Sequence, residues 1–185
     1  ALLNKSSLCV LDYGGSLGSS YFQCSKFLKS ITHISWCIVE QPELVEAGQK
    51  IFQNNQPYFF NNIEDCFKEF YPKVALFSST LQYLNNPLEI LDLVSQKQIE
   101  WIIVDRLPVS VEEVDFYSVQ HVSPKIYHGS YPIKIFGKNT LEEYLTKKSY
   151  ELFASYDSSW DGSHPEFVCG TLFRSKGYIF RLKNS

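Results

Sequence analysis

The stretch Leu8–Phe22, LCVLDYGGSLGSSYF, decides how the rest of the chain is read. An apolar run ends in Asp12, and Gly14, Gly15 and Gly18 then fall within five positions. Such a run closed by glycine reads as a buried strand followed by a turn. Glycine there permits a tight turn and lets backbone N–H groups approach a ligand closely. The glycines by themselves suit a plain strand-to-helix turn equally well, so the surrounding elements must decide.

Those elements alternate. Leu8–Tyr13 is the first strand, and Ser19–Ile31 carries Tyr21, Phe22, Phe27, Leu28 and Ile31 near helical spacing. Ile34–Glu40 is a second strand, and Pro42 opens a helix whose apolar face is Leu44, Val45, Ile51 and Phe52. A brief strand in PYFFNN, a helix over Ile63–Tyr71, a strand at Val74–Ser78, a helix over Pro87–Gln98 and a strand at Trp101–Asp105 continue the pattern. Strict alternation predicts an α/β fold, a mostly parallel sheet with helices on both faces. The alternation then stops. Arg106–Phe136, with Pro108, Pro124 and Pro132 and many His and Tyr, reads as one long irregular segment. A helix over Thr140–Lys148 and strands at Tyr150–Tyr156 and Gly177–Leu182 close the chain, giving the sheet an antiparallel edge strand.

Composition narrows the function classes. The 185 residues suit one domain, and 44% hydrophobic with 20% charged residues is an ordinary globular balance. A net charge of −3 gives no reason to expect a nucleic-acid partner. Aromatics at 16% point to a heavy core or an aromatic-lined pocket. The five cysteines are scattered, without C-x-x-C or Cys/His clusters, so neither a disulfide framework nor a metal site is expected. Cys9, Cys37 and Cys169 read as small buried hydrophobes, and the chain as reduced and cytoplasmic. No apolar stretch has the length of a membrane span. The chain contains no Met and reaches a core strand within a few residues, so residues 1–185 are expected to be a single domain lacking a native N-terminal segment. Nothing in the composition sets an oligomeric state.

In open α/β sheets ligands bind beyond the carboxyl ends of the strands. Glu40 ends the second strand, 26 residues beyond Gly14, roughly the separation at which a carboxylate grips ribose hydroxyls. The glycine spacing is not G-x-G-x-x-G. The pattern D-x-G-x-x-x-G over Asp12–Gly18 resembles instead the first motif of class I S-adenosylmethionine (SAM)-dependent methyltransferases, usually D/E-x-G-x-G-x-G, with Ser16 at the central glycine position. The stretches VLDYGGSLGSSYFQ, WCIVEQPELVEAGQKIF, VALFSSTLQYLNNPLEIL, WIIVDRLP, VQHVSPKIYHGSYP and KGYIFRLK also resemble, in order and spacing, a family of bacterial methyltransferases often associated with cell-surface polysaccharide biosynthesis.

That resemblance implies a Rossmann-like class I methyltransferase fold, SAM as cofactor, and a small-molecule or glycan acceptor. It implies that the loop of Gly14, Gly15 and Gly18 lies under the methionine moiety, with Asp12 orienting the loop or receiving the amino group. Glu40 would hold the ribose diol, Gln41 would flank the adenine, and Asn61 or Asn62 would read its amino edge, although Asn-Asn suits a turn as well. Ser78 and Ser79 would face the sulfonium or cap the next helix, with Gln82 and Tyr83 towards the substrate. Candidates to take a proton from the acceptor follow the fifth strand: Asp105, Arg106, His121, Tyr127, His128 and Tyr131. His121 leads them because imidazole titrates near neutral pH. Two other readings stand beside this one. A non-catalytic nucleotide-fold module would keep the loop for structure. A nicotinamide-dependent oxidoreductase is disfavoured by the glycine spacing and by the lack of a Tyr-x-x-x-Lys pair at a suitable helix position.

Overall fold

Alternation over the first hundred residues is realised as β1 (Ser7–Tyr13), α1 (Ser19–Ser25), β2 (His33–Val39), α2 (Pro42–Phe52), β3 (Tyr58–Phe60), α3 (Ile63–Glu69), β4 (Val74–Ser78), α4 (Pro87–Gln96) and β5 (Trp101–Ser110). There follow β6 (Phe116–His121), β7 (Ser130–Ile135), α5 (Thr140–Lys147), β8 (Tyr150–Asp157), β9 (Glu166–Val168) and β10 (Thr171–Leu182). The computed structural model describes residues 7–53, 55–122, 124–125, 128–158, 166–168 and 171–183.

The main sheet runs β3-β2-β1-β4-β5-β10-β8, with β9 paired to the start of β10. Pairing is parallel from β3 through β5. The antiparallel strand is β10, seated between β5 and the outer strand β8. Strand order reverses between β1 and β4, which opens a crevice beyond their carboxyl ends.

Side-chain alternation along the strands sorts the core into two layers. Leu11, Cys37, Val39, Ala75, Phe77, Ile102, Val104 and Phe180 pack with Ile63 and Cys66 of α3, Leu91 and Val94 of α4, and Leu141 and Leu145 of α5. On the other face Leu8, Val10, Trp36, Ile38, Val74 and Trp101 meet Tyr21 and Cys24 of α1 and Val45 and Phe52 of α2. Cys37 and Cys66 are buried, whereas Cys9 is half-buried. Cys169 lies outside the described residues. No helix among the described residues is long and apolar enough to cross a membrane.

Two expectations change. The first helix stops at Ser25 rather than Ile31, and the Ser25 hydroxyl donates to the Phe22 carbonyl at 2.9 Å, a local bond that competes with helix continuation. Leu28 and Ile31 still pack into the core without it. Much of the segment Arg106–Phe136 is regular: β5 runs on to Ser110, and β6 and β7 pair as an antiparallel ribbon. Its prolines suggested a loop, yet Pro108 and Pro132 sit where a strand tolerates them. The Pro108 carbonyl accepts from Phe136 N, so its ring nitrogen also faces away from the β10 ladder. Pro132 belongs to a two-stranded ribbon, where every strand is an edge.

Candidate functional site

The loop after β1 is tied to the end of β2 at two successive points. Gly14 N donates to the Val39 carbonyl at 2.9 Å, and Ser16 N donates to Glu40 Oε1 at 3.0 Å. Gly14 has φ 73°, and a β-carbon on it would fall 2.5 Å from Thr80 Cγ2. Any larger residue at position 14 therefore meets both backbone strain and a side chain that is itself buried. At Gly15 a β-carbon would fall 2.6 Å from the Asp12 carboxylate. Ser16, like Gly18, is left-handed, at φ 51°. For a residue other than glycine that conformation costs about 1–2 kcal/mol. A hydrogen bond to a charged acceptor returns about 1.5–3 kcal/mol, towards the lower end where it is exposed.

Asp12 is 1% exposed and lies beneath the loop, accepting from Trp36 Nε1 at 2.9 Å. Its other oxygen, Oδ1, has no hydrogen-bond partner among the described residues. Burial pushes the Asp12 carboxyl up to about 6, opposed by the Trp36 bond and reinforced by the negative charge of Glu40. Of the two roles the motif suggests, this placement favours loop orientation. The sequence offered no sign of Trp36 as its partner, because the pairing depends on the β1–β2 register.

Above the loop lies a cleft of about 430 Å³, lined by Tyr13, Gly14, Glu40, Gln41, Asn61 and Thr80 together with Val39, Pro42, Ser79, Tyr83 and Leu84. It sits at the reversal of strand order and has the size of a small-molecule site. Glu40 Oε2 accepts from Gln41 N at 2.8 Å. Each carboxylate oxygen has thus taken one N–H and keeps a second lone pair. Asn61 reaches this cleft, but Asn62 does not line it. Asn62 is the N-cap of α3, accepting from Asp65 N and donating to the Asp65 carboxylate, which is the turn role that Asn-Asn also suited. Gln82 is buried, its side chain donating to Ser79 Oγ and to the Arg106 carbonyl. Neither serine caps a helix; α4 starts only at Pro87, after a short turn at Leu81–Tyr83. Ser78 Oγ accepts from Arg106 on the opposite side of the sheet from the cleft.

Candidates after the fifth strand are spread over three places. Tyr131 packs on a cleft-lining residue, its ring 5.3 Å from that of Tyr83 and edge-to-face with it. The Tyr83 hydroxyl donates to Gln120 at 2.9 Å. Gln120 and Tyr131 are cross-strand partners, so they share a face of the hairpin, and the next pair, His121 and Ser130, occupies the other face. His121 is therefore exposed and turned away from Tyr83, not towards the cleft as expected. His128 is exposed, and Tyr127 lies outside the described residues.

Asp105 is also not at the cleft. Its Oδ1 accepts from Ser158 Oγ at 2.6 Å and from Tyr156 OH at 3.2 Å, in a groove on the α1 side that includes Leu8, Val10 and Trp36. Burial and the charge of Asp105 push the Tyr156 hydroxyl up to about 12, which keeps it a donor. A Tyr-x-x-x-Lys spacing does occur, at Tyr144 and Lys148. Both bind Asp92 of α4, and none of the three lines the cleft.

No family model and no curated protein sequence matches the chain. Solved structures do. A SAM-dependent methyltransferase from Methanosarcina mazei superposes with a TM-score of 0.62 at 12% identity, over 98% of this chain and 95% of that one. The glycopeptide N-methyltransferase MtfA, complexed with sinefungin, gives 0.62 at 8% identity, over 98% of this chain and 89% of MtfA. This chain has the class I methyltransferase fold. LepI in complex with SAM gives 0.58 at 14% identity, and the match covers 97% of this chain but 44% of LepI. The chain thus spans less than half of that protein.

Proposed function

We propose that this chain is a SAM-dependent methyltransferase acting on a small molecule or glycan precursor, in the bacterial cytoplasm and in the service of cell-surface polysaccharide biosynthesis. The observation that carries the cofactor reading is the cleft itself, where a left-handed glycine loop and the Glu40 carboxylate at the end of β2 meet at the reversal of strand order. The fit is chemical as well as spatial. Glu40 retains a lone pair on each oxygen for a vicinal diol. Gln41 and Asn61 supply donors and acceptors for a base, and the Gly14 backbone lines the same cleft. Structures of this fold with SAM or its analogues bound support the same assignment.

SAM supplies an electrophilic methyl group. The chain's part is to hold the acceptor in line and exclude water. Tyr13 and Tyr83 line the cleft, and Tyr131 packs edge-to-face on Tyr83, aromatic surface suited to stacking on the apolar face of a sugar or a planar ring. Tyr131 replaces His121 as the residue of choice for contact with the acceptor, since it alone of the two faces Tyr83.

Calorimetry with SAM and with S-adenosylhomocysteine tests the reading. Binding of either supports it, and binding of neither overturns it. Tight binding of NAD instead would promote the oxidoreductase. The second reading is a non-catalytic nucleotide-fold binding module that keeps the loop for structure. Methyl transfer from labelled SAM to candidate sugar acceptors separates the two.

A further inference from the structure

Ser16 occupies the central glycine position of the loop motif and adopts the left-handed conformation that a glycine would. Its N–H donates to Glu40 Oε1, 24 residues away in sequence. Of the loop's other hydrogen bonds, Gly14 N to the Val39 carbonyl precedes Ser16, and Gly18 N to the Gly15 carbonyl closes a local turn around it, so the Glu40 bond is the long-range hold on that turn. We propose that Glu40 is a positioning residue as well as a ligand for the cofactor: its carboxylate is the clasp that holds Ser16 in the glycine-like conformation. The chain thereby replaces backbone freedom with a side-chain hydrogen bond. One carboxylate can do both jobs, because each oxygen uses one lone pair on a loop or helix N–H and keeps another for a hydroxyl. A ligand gripping Glu40 would also stiffen the loop beneath it. This last consequence rests on the methyltransferase reading; the clasp does not.

The test uses amide hydrogen exchange on the ligand-free protein, read by NMR. Gly18 N donates to the Gly15 carbonyl at 3.0 Å across the loop, so its amide reports loop shape without touching Glu40. In Glu40→Gln the side chain keeps its shape, but only one of its two end atoms can still accept. The amides of Ser16 and Gly18 should then exchange at least about tenfold faster, with those of β1 unchanged. Adding Ser16→Gly should return the Gly18 amide to within about threefold of the parent rate, while the amide of residue 16 stays fast, since glycine needs no clasp. A Gly18 amide indifferent to both Glu40→Gln and Glu40→Asp, or not recovered by Ser16→Gly, overturns the proposal. Glu40→Asp, which withdraws the carboxylate from the loop, should give the same signature and serves if Glu40→Gln does not fold. Failure of the parent chain to bind S-adenosylhomocysteine would overturn the methyltransferase reading and leave these rates to decide the clasp.

Discussion

Two apolar runs of the sequence close on a carboxylate, CIVE at Glu40 and WIIVD at Asp105, and the two acids do different work. Glu40 lies just past β2, facing the glycine loop and the cleft. Asp105 lies within β5, on the face shared by Trp101 and Ile103, and binds the hydroxyls of Tyr156 and Ser158 in a separate groove. A strand-terminal acid is therefore an ambiguous sign until its face is known. One step along a strand moves a side chain across the sheet.

The sharpest way to break this contrast is at the loop that gives Glu40 its role. Gly14→Val should destabilise the chain by about 3 kcal/mol or more, through the left-handed backbone and the clash with Thr80, and should abolish cofactor binding. Urea unfolding and calorimetry check both effects.

Next in size is the acid beneath the loop. Folded Asp12 holds its proton up to about 6, against an ordinary value of 3.8. Between those values the folded chain binds more protons than the unfolded one, so this group's contribution to stability falls as pH rises through the window. Asp12→Asn removes that dependence. Relative to the parent, it should gain on the order of 3 kcal/mol between about pH 3.5 and about pH 7 in urea unfolding. A difference that does not change with pH would mean that Asp12 ionises without penalty.

The two acids, Glu40 just past β2 and Asp105 within β5, can then be compared directly by calorimetry and unfolding. Glu40→Ala should weaken S-adenosylhomocysteine binding by about 10- to 100-fold. Asp105→Asn should leave that affinity within about threefold, yet cost about 1–2 kcal/mol of stability by weakening the Tyr156 and Ser158 bonds. Equal effects on affinity would erase the distinction between the two ends of the sheet. The smallest effect belongs to His121→Ala, which should change stability by no more than about 0.5 kcal/mol. It should also leave turnover intact once an acceptor is known.

Much of the first hundred residues was legible because local patterns suffice there. The apolar runs, Pro42 and Pro87 at helix starts, and glycine after β1 each signal structure within a few positions. Glu40 could be found by its separation from Gly14. His121 misled because its chemistry suits catalysis while its side is set by the hairpin register, which no short window shows. Pro108 and Pro132 misled for a related reason: a proline signals a break unless its missing N–H faces away from a ladder, and only strand pairing decides that. Asn61 and Asn62 are neighbours of one residue type, yet one lines the cleft and the other caps α3.

By itself the sequence determined the element order, the backbone freedom after β1, and a carboxylate within reach of it. Tertiary structure decided that β1 lies beside β4, so that Thr80 closes on Gly14, and that β1 pairs with β2, so that Trp36 finds Asp12 and Glu40 finds Ser16. The division has a physical cause. Propensity and periodicity act over a few residues, whereas each of these contacts joins groups 24 or more positions apart, brought together by strand order and register once the two core layers pack.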